Sequence, residues 1–192
     1  MTSCCRRSPT VGAFSGTVND AGTYNRGVSH EEHRQDAPAS VRCFVLTISD
    51  TRSQENDPSG DAIVEALNFA GHEVSGRSLV PDEPGAVRSA IVLATLHADA
   101  IITTGGTGVT ARDSTYEAVG ALLEKHLDGF GELFRMLSYE QIGAAAMLSR
   151  ACAGTIGRTV VFSLPGATKA VELALDKLIV PELPHIVREL RR

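Results

Sequence analysis

Asp99-Ala100-Ile101-Ile102-Thr103-Thr104-Gly105-Gly106-Thr107-Gly108 is the stretch whose reading decides the fold. Its apolar run ends abruptly in glycines and threonines, and Asp113 follows shortly before a helical pattern opens. That order reads as a buried strand, a loop of phosphate size and a helix N-terminus. Glycine lets the backbone approach an anion closely, and the unpaired N–H groups of a first helical turn point at it. No lysine follows, so this is not the Gly-x-x-x-x-Gly-Lys-Ser/Thr phosphate loop, and the spacing is not the dinucleotide Gly-x-Gly-x-x-Gly. A glycine turn after a strand is more often only a tight turn, so the flanking chain has to decide.

Outward from this loop the chain alternates strand and helix. Upstream, Arg42 to Ile48 reads as a strand, Asp57-Pro58-Ser59-Gly60 as a turn with Ser59 as N-cap, and the segment to Ala70 as a helix stopped by Gly71. Ile63, Ala66, Leu67 and Ala70 share one face of it. A strand near Val74 to Val80 follows, and Pro84 suits the first turn of a helix running to about His97. Downstream, Ser114-Thr115-Tyr116-Glu117 has capping-box spacing, and helical stretches cover about Gly131 to Ile142 and Ala144 to Ala151. Arg158 to Ser163 reads as a strand and Pro165-Gly166 as a turn. Two final helices follow, parted by Pro181 or Pro184. Strands alternating with helices predict an α/β fold, a three-layer α/β/α domain around a mainly parallel sheet.

Composition bounds the rest. The 192 residues allow one domain plus a tail. Residues 1–39 are rich in Ser, Thr, Gly and Asn without hydrophobic period and read as a disordered or loosely draped tail, with the domain over 40–192. A formal charge of -5, with scattered arginines, argues against nucleic acid or a membrane surface as partner. No apolar run approaches the ~18 residues of a bilayer span, and Met1 to Ala21 lacks a signal-peptide core, so a cytoplasmic protein is expected. Cys43 and Cys152 read as buried thiols. Cys4-Cys5 and His30-Glu31-Glu32-His33 lack the spacing of a metal site.

Polar clusters fall at the strand ends. Ser49-Asp50-Thr51 follows the first strand, Asp82-Glu83 the second, the glycine loop with Asp113 the third, and Ser163-Leu164-Pro165-Gly166 closes the fourth. Carboxyl ends of parallel strands share one edge, where ligands bind in open α/β sheets. Backbone donors, small hydroxyls and carboxylates suit a phosphorylated ligand carrying magnesium. The glycines would hold phosphate, and Asp82 and Asp113 the cation. Either aspartate could instead cap the next helix. No activated serine or cysteine with a histidine base stands out, so metal-assisted phosphoryl chemistry is favoured over acyl-enzyme catalysis.

Ile48-Ser49-Asp50-Thr51, Val80-Pro81-Asp82-Glu83, Thr104-Gly105-Gly106-Thr107-Gly108 with Arg112-Asp113, and Leu164-Pro165-Gly166, in that order, resemble the molybdopterin-binding domain of the MoaB/MogA family, which includes gephyrin-type G domains. Gly129-Phe130-Gly131-Glu132-Leu133-Phe134-Arg135-Met136-Leu137-Ser138 and Met147-Leu148-Ser149-Arg150 resemble the MoaB branch, and the likeness runs from about Val41 to Arg188. The resemblance implies molybdenum cofactor biosynthesis, with AMP passed from Mg-ATP to the terminal phosphate of molybdopterin and pyrophosphate released. It implies Asp82 and Asp113 as catalytic, magnesium-linked carboxylates. Gly105, Gly106, Thr107 and Gly108 would take phosphates. Ser49, Asp50, Ser149, Ser163, Pro165 and Gly166 would line the pterin–nucleotide crevice. It further implies a homotrimer or hexamer and hand-off to a molybdenum-insertion protein. A non-catalytic molybdopterin carrier and a ligand-free oligomeric scaffold are the alternatives. Tyr116 stands where many relatives carry proline.

Overall fold

The computed structural model describes residues 37–110 and 113–192. The expectations for the tail, for Cys4 and Cys5, for the His30 to His33 run and for Arg112 lie outside the described residues. From Arg42 the chain forms β1 (Arg42–Ile48), α1 (Pro58–Phe69), β2 (Glu73–Val80), α2 (Pro84–Ala94), β3 (Ala100–Thr104) and α3 (Thr115–Gly120). Then come β4 (Lys125–His126), α4 (Asp128–Ile142), a 3-10 helix (Gly143–Leu148), β5 (Cys152–Ile156), β6 (Thr159–Leu164), α5 (Thr168–Ala174) and α6 (Val180–Arg191). Among the described residues no helix is long and apolar enough to cross a membrane.

The sheet runs β2-β1-β3-β6-β5-β4. β2, β1, β3 and β6 are parallel, while β5 and β4 join antiparallel at one edge. β3 and β6 are buried along their whole length, which is why residues 100–102 and 160–162 read as unbroken apolar runs rather than alternating ones. Side chains on one sheet face, Val45, Ile102 and Phe162 among them, pack with Ile63 and Leu67 of α1, Phe134 of α4, Val171 of α5 and Leu183 and Val187 of α6. The opposite face, with Leu46, Ile101 and Val161, packs on Val87 and Ile91 of α2 and Ala118 and Val119 of α3. The result is the expected three layers. Because α1 and α2 cover opposite faces, β2 and β3 lie on opposite sides of β1. The carboxyl ends of β1 and β3 therefore flank the point where the winding reverses, the usual place for a ligand crevice.

Several local expectations change. Asp57, not Ser59, caps α1, accepting from the Gly60 N–H with Pro58 in the first turn. Gly71 ends the helix as expected, at φ +80°. The antiparallel β4 and β5 went unseen, because a two-residue edge strand has no period and Cys152-Ala-Gly-Thr-Ile156 is too small to read as strand. Gly157 (φ +55°) turns β5 into β6. The stretch after Ile142 is a 3-10 helix ending at Leu148 rather than an α-helix reaching Ala151. The final helices are not parted by proline. α5 runs through a π-helical stretch, Leu175–Ile179, into α6, which holds Pro181 in its first turn and Pro184 inside. The wider π turn falls one turn ahead of the prolines, where the helix has to absorb their missing donors.

Candidate functional site

The loops after β1 and β2 are tied together first. The Ser49 N–H donates to Val80 O (2.9 Å), and its hydroxyl accepts from the N–H groups of Thr51 and Arg52 (3.2 Å each). Asp50 accepts the Asp82 N–H through Oδ1 (3.1 Å). Ser49 and Asp50 thus shape the turns that present Asp82 and do not line the cleft below. Asp82 does not cap α2. Its Oδ1 accepts the hydroxyls of Ser114 and Thr115 (3.2 Å each), drawing the start of α3 onto the end of β2. Those groups are thereby withdrawn from the expected capping box: Ser114 makes no side-chain cap bond, and Glu117 pairs with Arg150 instead.

The glycine loop is built by exclusion of side chains. Gly105 (φ +108°) and Gly106 (φ +62°) occupy the left-handed region. A Cβ on Gly105 would overlap the Ile48 carbonyl, and one on Gly106 would overlap the Thr115 hydroxyl and lie 2.5 Å from Asp82 Oδ2. A Cβ on Gly108 would lie 2.6 Å from Asp113 Oδ2. Both carboxylates are therefore pressed against the loop, Asp82 at Gly106 and Asp113 at Gly108. Asp113 does not cap α3 either; its Oδ2 accepts the Thr110 N–H (2.9 Å) and hydroxyl (2.5 Å). Those bonds, helped by the Arg150 charge, hold its carboxyl below the ordinary value, so it is ionised at neutral pH. The orphan N–H groups expected at the start of α3 are partly used, since the Thr115 N–H donates to Gly106 O (3.1 Å).

The loop after β6 completes the wall. Gly105 N–H donates to Leu164 O and the Thr104 hydroxyl to Pro165 O (3.1 Å each). Between these turns and α4 opens a cleft of about 400 Å³. Gly105, Gly106, Thr107, Gly108, Asp113, Ser149, Pro165 and Gly166 line its polar side, and Phe134, Ile142 and Leu148 its apolar side. The Ser149 hydroxyl is buried there with no hydrogen-bond partner. A polar atom left unpaired in a cleft wall is suited to receive a ligand group. Ser163 is not in the cleft. It is fully buried in β6, in register with Thr103 and Cys152, on the sheet face covered by α2 and α3. Among the described residues no cluster of three or more His, Cys, Asp or Glu side chains gathers to hold a metal.

Two arginines carry structural tasks. Arg52 pairs with Asp57 (3.1 Å), bonds the Ser59 hydroxyl and donates to Gly166 O (2.8 Å), anchoring the last turn to the first. Arg150 donates to the carbonyls of Thr107 (2.9 Å), Gly108 and Asp113 (3.3 Å), and to Glu117. Its neighbour Ser149 was singled out, but nothing in a sequence says whether a guanidinium faces a ligand or the backbone.

The geometry can be set beside known proteins. Residues 44–185 match the family described as a probable molybdopterin binding domain. Molybdenum cofactor biosynthesis protein B of Bacillus cereus is 55% identical over 169 residues, covering 86% of this chain and 99% of that protein. The protein of that name in Bacillus subtilis is 49% identical over 168 residues, with 86% and 99% covered. A crystal structure of a molybdenum cofactor biosynthesis protein B superposes with a TM-score of 0.79 at 54% identity, over 81% of this chain and 99% of that one. The tungsten cofactor synthesizing protein MoaB from Pyrococcus furiosus gives 0.73 at 40% identity, over 81% and 100%. A MogA structure gives 0.71 at 27%, over 79% and 99%. With this sheet order, this glycine loop and these strand-end carboxylates, the chain belongs to the MoaB/MogA family of molybdopterin-binding domains.

Proposed function

We propose that this protein acts in molybdenum cofactor biosynthesis by adenylylating molybdopterin: an oxygen of the pterin's terminal phosphate attacks the α-phosphorus of ATP, the bond to the β-phosphate breaks, and pyrophosphate leaves. The observation that carries this reading is the pair of carboxylates held against one glycine loop, Asp82 at Gly106 and Asp113 at Gly108. The cleft, which Asp113 lines and Asp82 does not, is part glycine backbone and part apolar wall and suits a ligand with a phosphate end and a ring end.

Two carboxylates, with no third ligating side chain beside them among the described residues, suit magnesium that arrives with ATP, since this ion keeps waters and phosphate oxygens around one or two carboxylates. Asp82 and Asp113 would hold it, and it would neutralise charge on the phosphates. Glycine backbone lets phosphate approach closely, the Ser149 hydroxyl offers a hydrogen bond, and Phe134, Ile142 and Leu148 give the ring an apolar wall to lie against. Exposed Leu133, Met136, Tyr139, Ile142 and Met147 on α4 and the 3-10 helix favour assembly as a homotrimer or hexamer. Delivery of the adenylylated product to a molybdenum-insertion protein completes the reading.

The test is incubation of the full chain with molybdopterin, ATP and magnesium, with adenylylated molybdopterin and pyrophosphate measured. Asp82→Asn and Asp113→Asn are expected to cut turnover by a factor of about 100 or more while pterin stays bound. A wild-type protein that binds pterin without releasing pyrophosphate would make it a carrier, and full activity in either variant would remove that aspartate from the chemistry.

A further inference from the structure

We infer that Arg150 is the positioning residue of the glycine loop, setting Asp113 and the width of the cleft, and is not itself a phosphate ligand. This rests on the adenylylation reading for its kinetic consequence, though not for its structural one. A guanidinium has five N–H donors. Here Nε is taken by Thr107 O, Nη2 by Gly108 O and Asp113 O, and Nη1 by Glu117. At most one donor is left, so a phosphate could be gripped by a fork only if the brace were broken.

The orientation of the loop follows. Across a trans peptide the carbonyl and the next N–H point opposite ways. Carbonyls of Thr107 and Gly108 drawn to Arg150 turn the N–H groups of Gly108 and Val109 away from it. On the other side Asp113 gathers the N–H and hydroxyl of Thr110, and its carboxylate lies against Gly108. Arg150 therefore holds Asp113 from behind, both by its carbonyl and through the loop. Arg150 also follows Ser149 and Leu148, which line the facing wall, so one side chain joins the two walls. The Tyr116 ring lies under the guanidinium at 5.0 Å and covers the brace. Lysine cannot replace such a brace, because an ammonium is a point charge without the planar fork.

The experiment measures amide hydrogen exchange at residues 105–110 and 113 in the ligand-free full chain, for wild type, Arg150→Lys, Arg150→Ala and the milder Tyr116→Leu. Exchange in this segment is expected to rise about tenfold to a hundredfold in both Arg150 variants, the range set by losing charge-assisted hydrogen bonds. Exchange in β1, β3 and β6 should stay unchanged, which a general loss of stability would not allow. Tyr116→Leu should give a smaller rise in the same segment, and millimolar guanidinium should restore protection to Arg150→Ala. Turnover is expected to fall through kcat with KM for Mg-ATP little changed. If Arg150→Lys keeps wild-type loop protection, or if Arg150→Ala loses only Mg-ATP affinity with the loop still protected, Arg150 is a phosphate ligand and the inference fails. A wild-type protein without turnover whose loop still loosens in these variants would refute adenylylation alone.

Discussion

Replacing Asp57 by asparagine removes a negative charge from the point where β1, α1 and β2 meet. The carboxylate is 1% exposed. It accepts from the Thr47 hydroxyl (2.5 Å), Arg77 (2.8 Å), Arg52 and the Gly60 N–H (3.1 Å each) and the Ser59 hydroxyl (3.2 Å). Asparagine keeps one acceptor for the Gly60 cap but sets an NH₂ group against the donors on the other oxygen. Breaking a buried ion pair from one side costs about 3–5 kcal/mol. Arg52 and Arg77 are about a quarter exposed, so water takes over part of what is lost, and the low end, about 3 kcal/mol, is expected. At roughly 2–4 °C per kcal/mol for a domain of this size, Tm should fall by about 6–12 °C. Thermal and urea unfolding by circular dichroism at neutral pH measure this. Burial pushes the Asp57 carboxyl upward, but the bonds from Thr47, Arg77 and Gly60 and the Arg77 charge outweigh it and hold it below the ordinary value. A depressed carboxyl stabilises the fold above its unfolded pKa, and the contribution disappears as pH falls through the folded one. The gap between wild type and Asp57→Asn should therefore close as pH drops below the ordinary carboxylate range. A change under about 0.5 kcal/mol, or a gap that widens in acid, would refute the reasoning.

Gly106→Ala places a Cβ in the left-handed region against the Thr115 hydroxyl and 2.5 Å from Asp82 Oδ2. Pterin turnover should fall more than stability, whose loss is set at about 1–3 kcal/mol by backbone strain; undiminished turnover would show that Asp82 need not sit against the loop. Burial pushes the Cys43 thiol up to about 12, and the Cys152 thiol up to about 11 against some opposition from the Arg150 charge. Iodoacetamide at pH 8, read by peptide mapping, should leave the buried Cys43 unmodified in the folded chain, label the half-buried Cys152 only slowly, and label both after unfolding; rapid labelling of Cys43 in the native protein would contradict its burial.

Much of the fold was legible because it rests on local rules. β1 was read to the residue, since a run apolar on both faces between turns has few other uses. The strand-end placement of Asp50, Asp82, the glycines and Pro165-Gly166 followed from strand–helix alternation alone. Caps were read less well. Asp57 took the role given to Ser59, and the Ser114 to Glu117 box dissolved because Asp82 and Arg150 offered those groups charged partners from elsewhere in the chain. Ser163 was misplaced by a single residue of strand period: Leu164 packs on the α4 side of the sheet, and its neighbour on the other.

The amino-acid sequence by itself determined the layered α/β fold, the edge of the sheet that carries polar chemistry and the family. Hydrophobic period, glycine and proline are properties of a few consecutive residues. Only the tertiary structure decided what each polar side chain is for. The bond from Arg52 to Gly166 O spans 114 residues and that from Arg150 to Thr107 O spans 43, so their partners are set by how the layers close. A buried or half-buried guanidinium must satisfy its donors, and whether carbonyls or a phosphate do so depends on which oxygens the fold brings within reach.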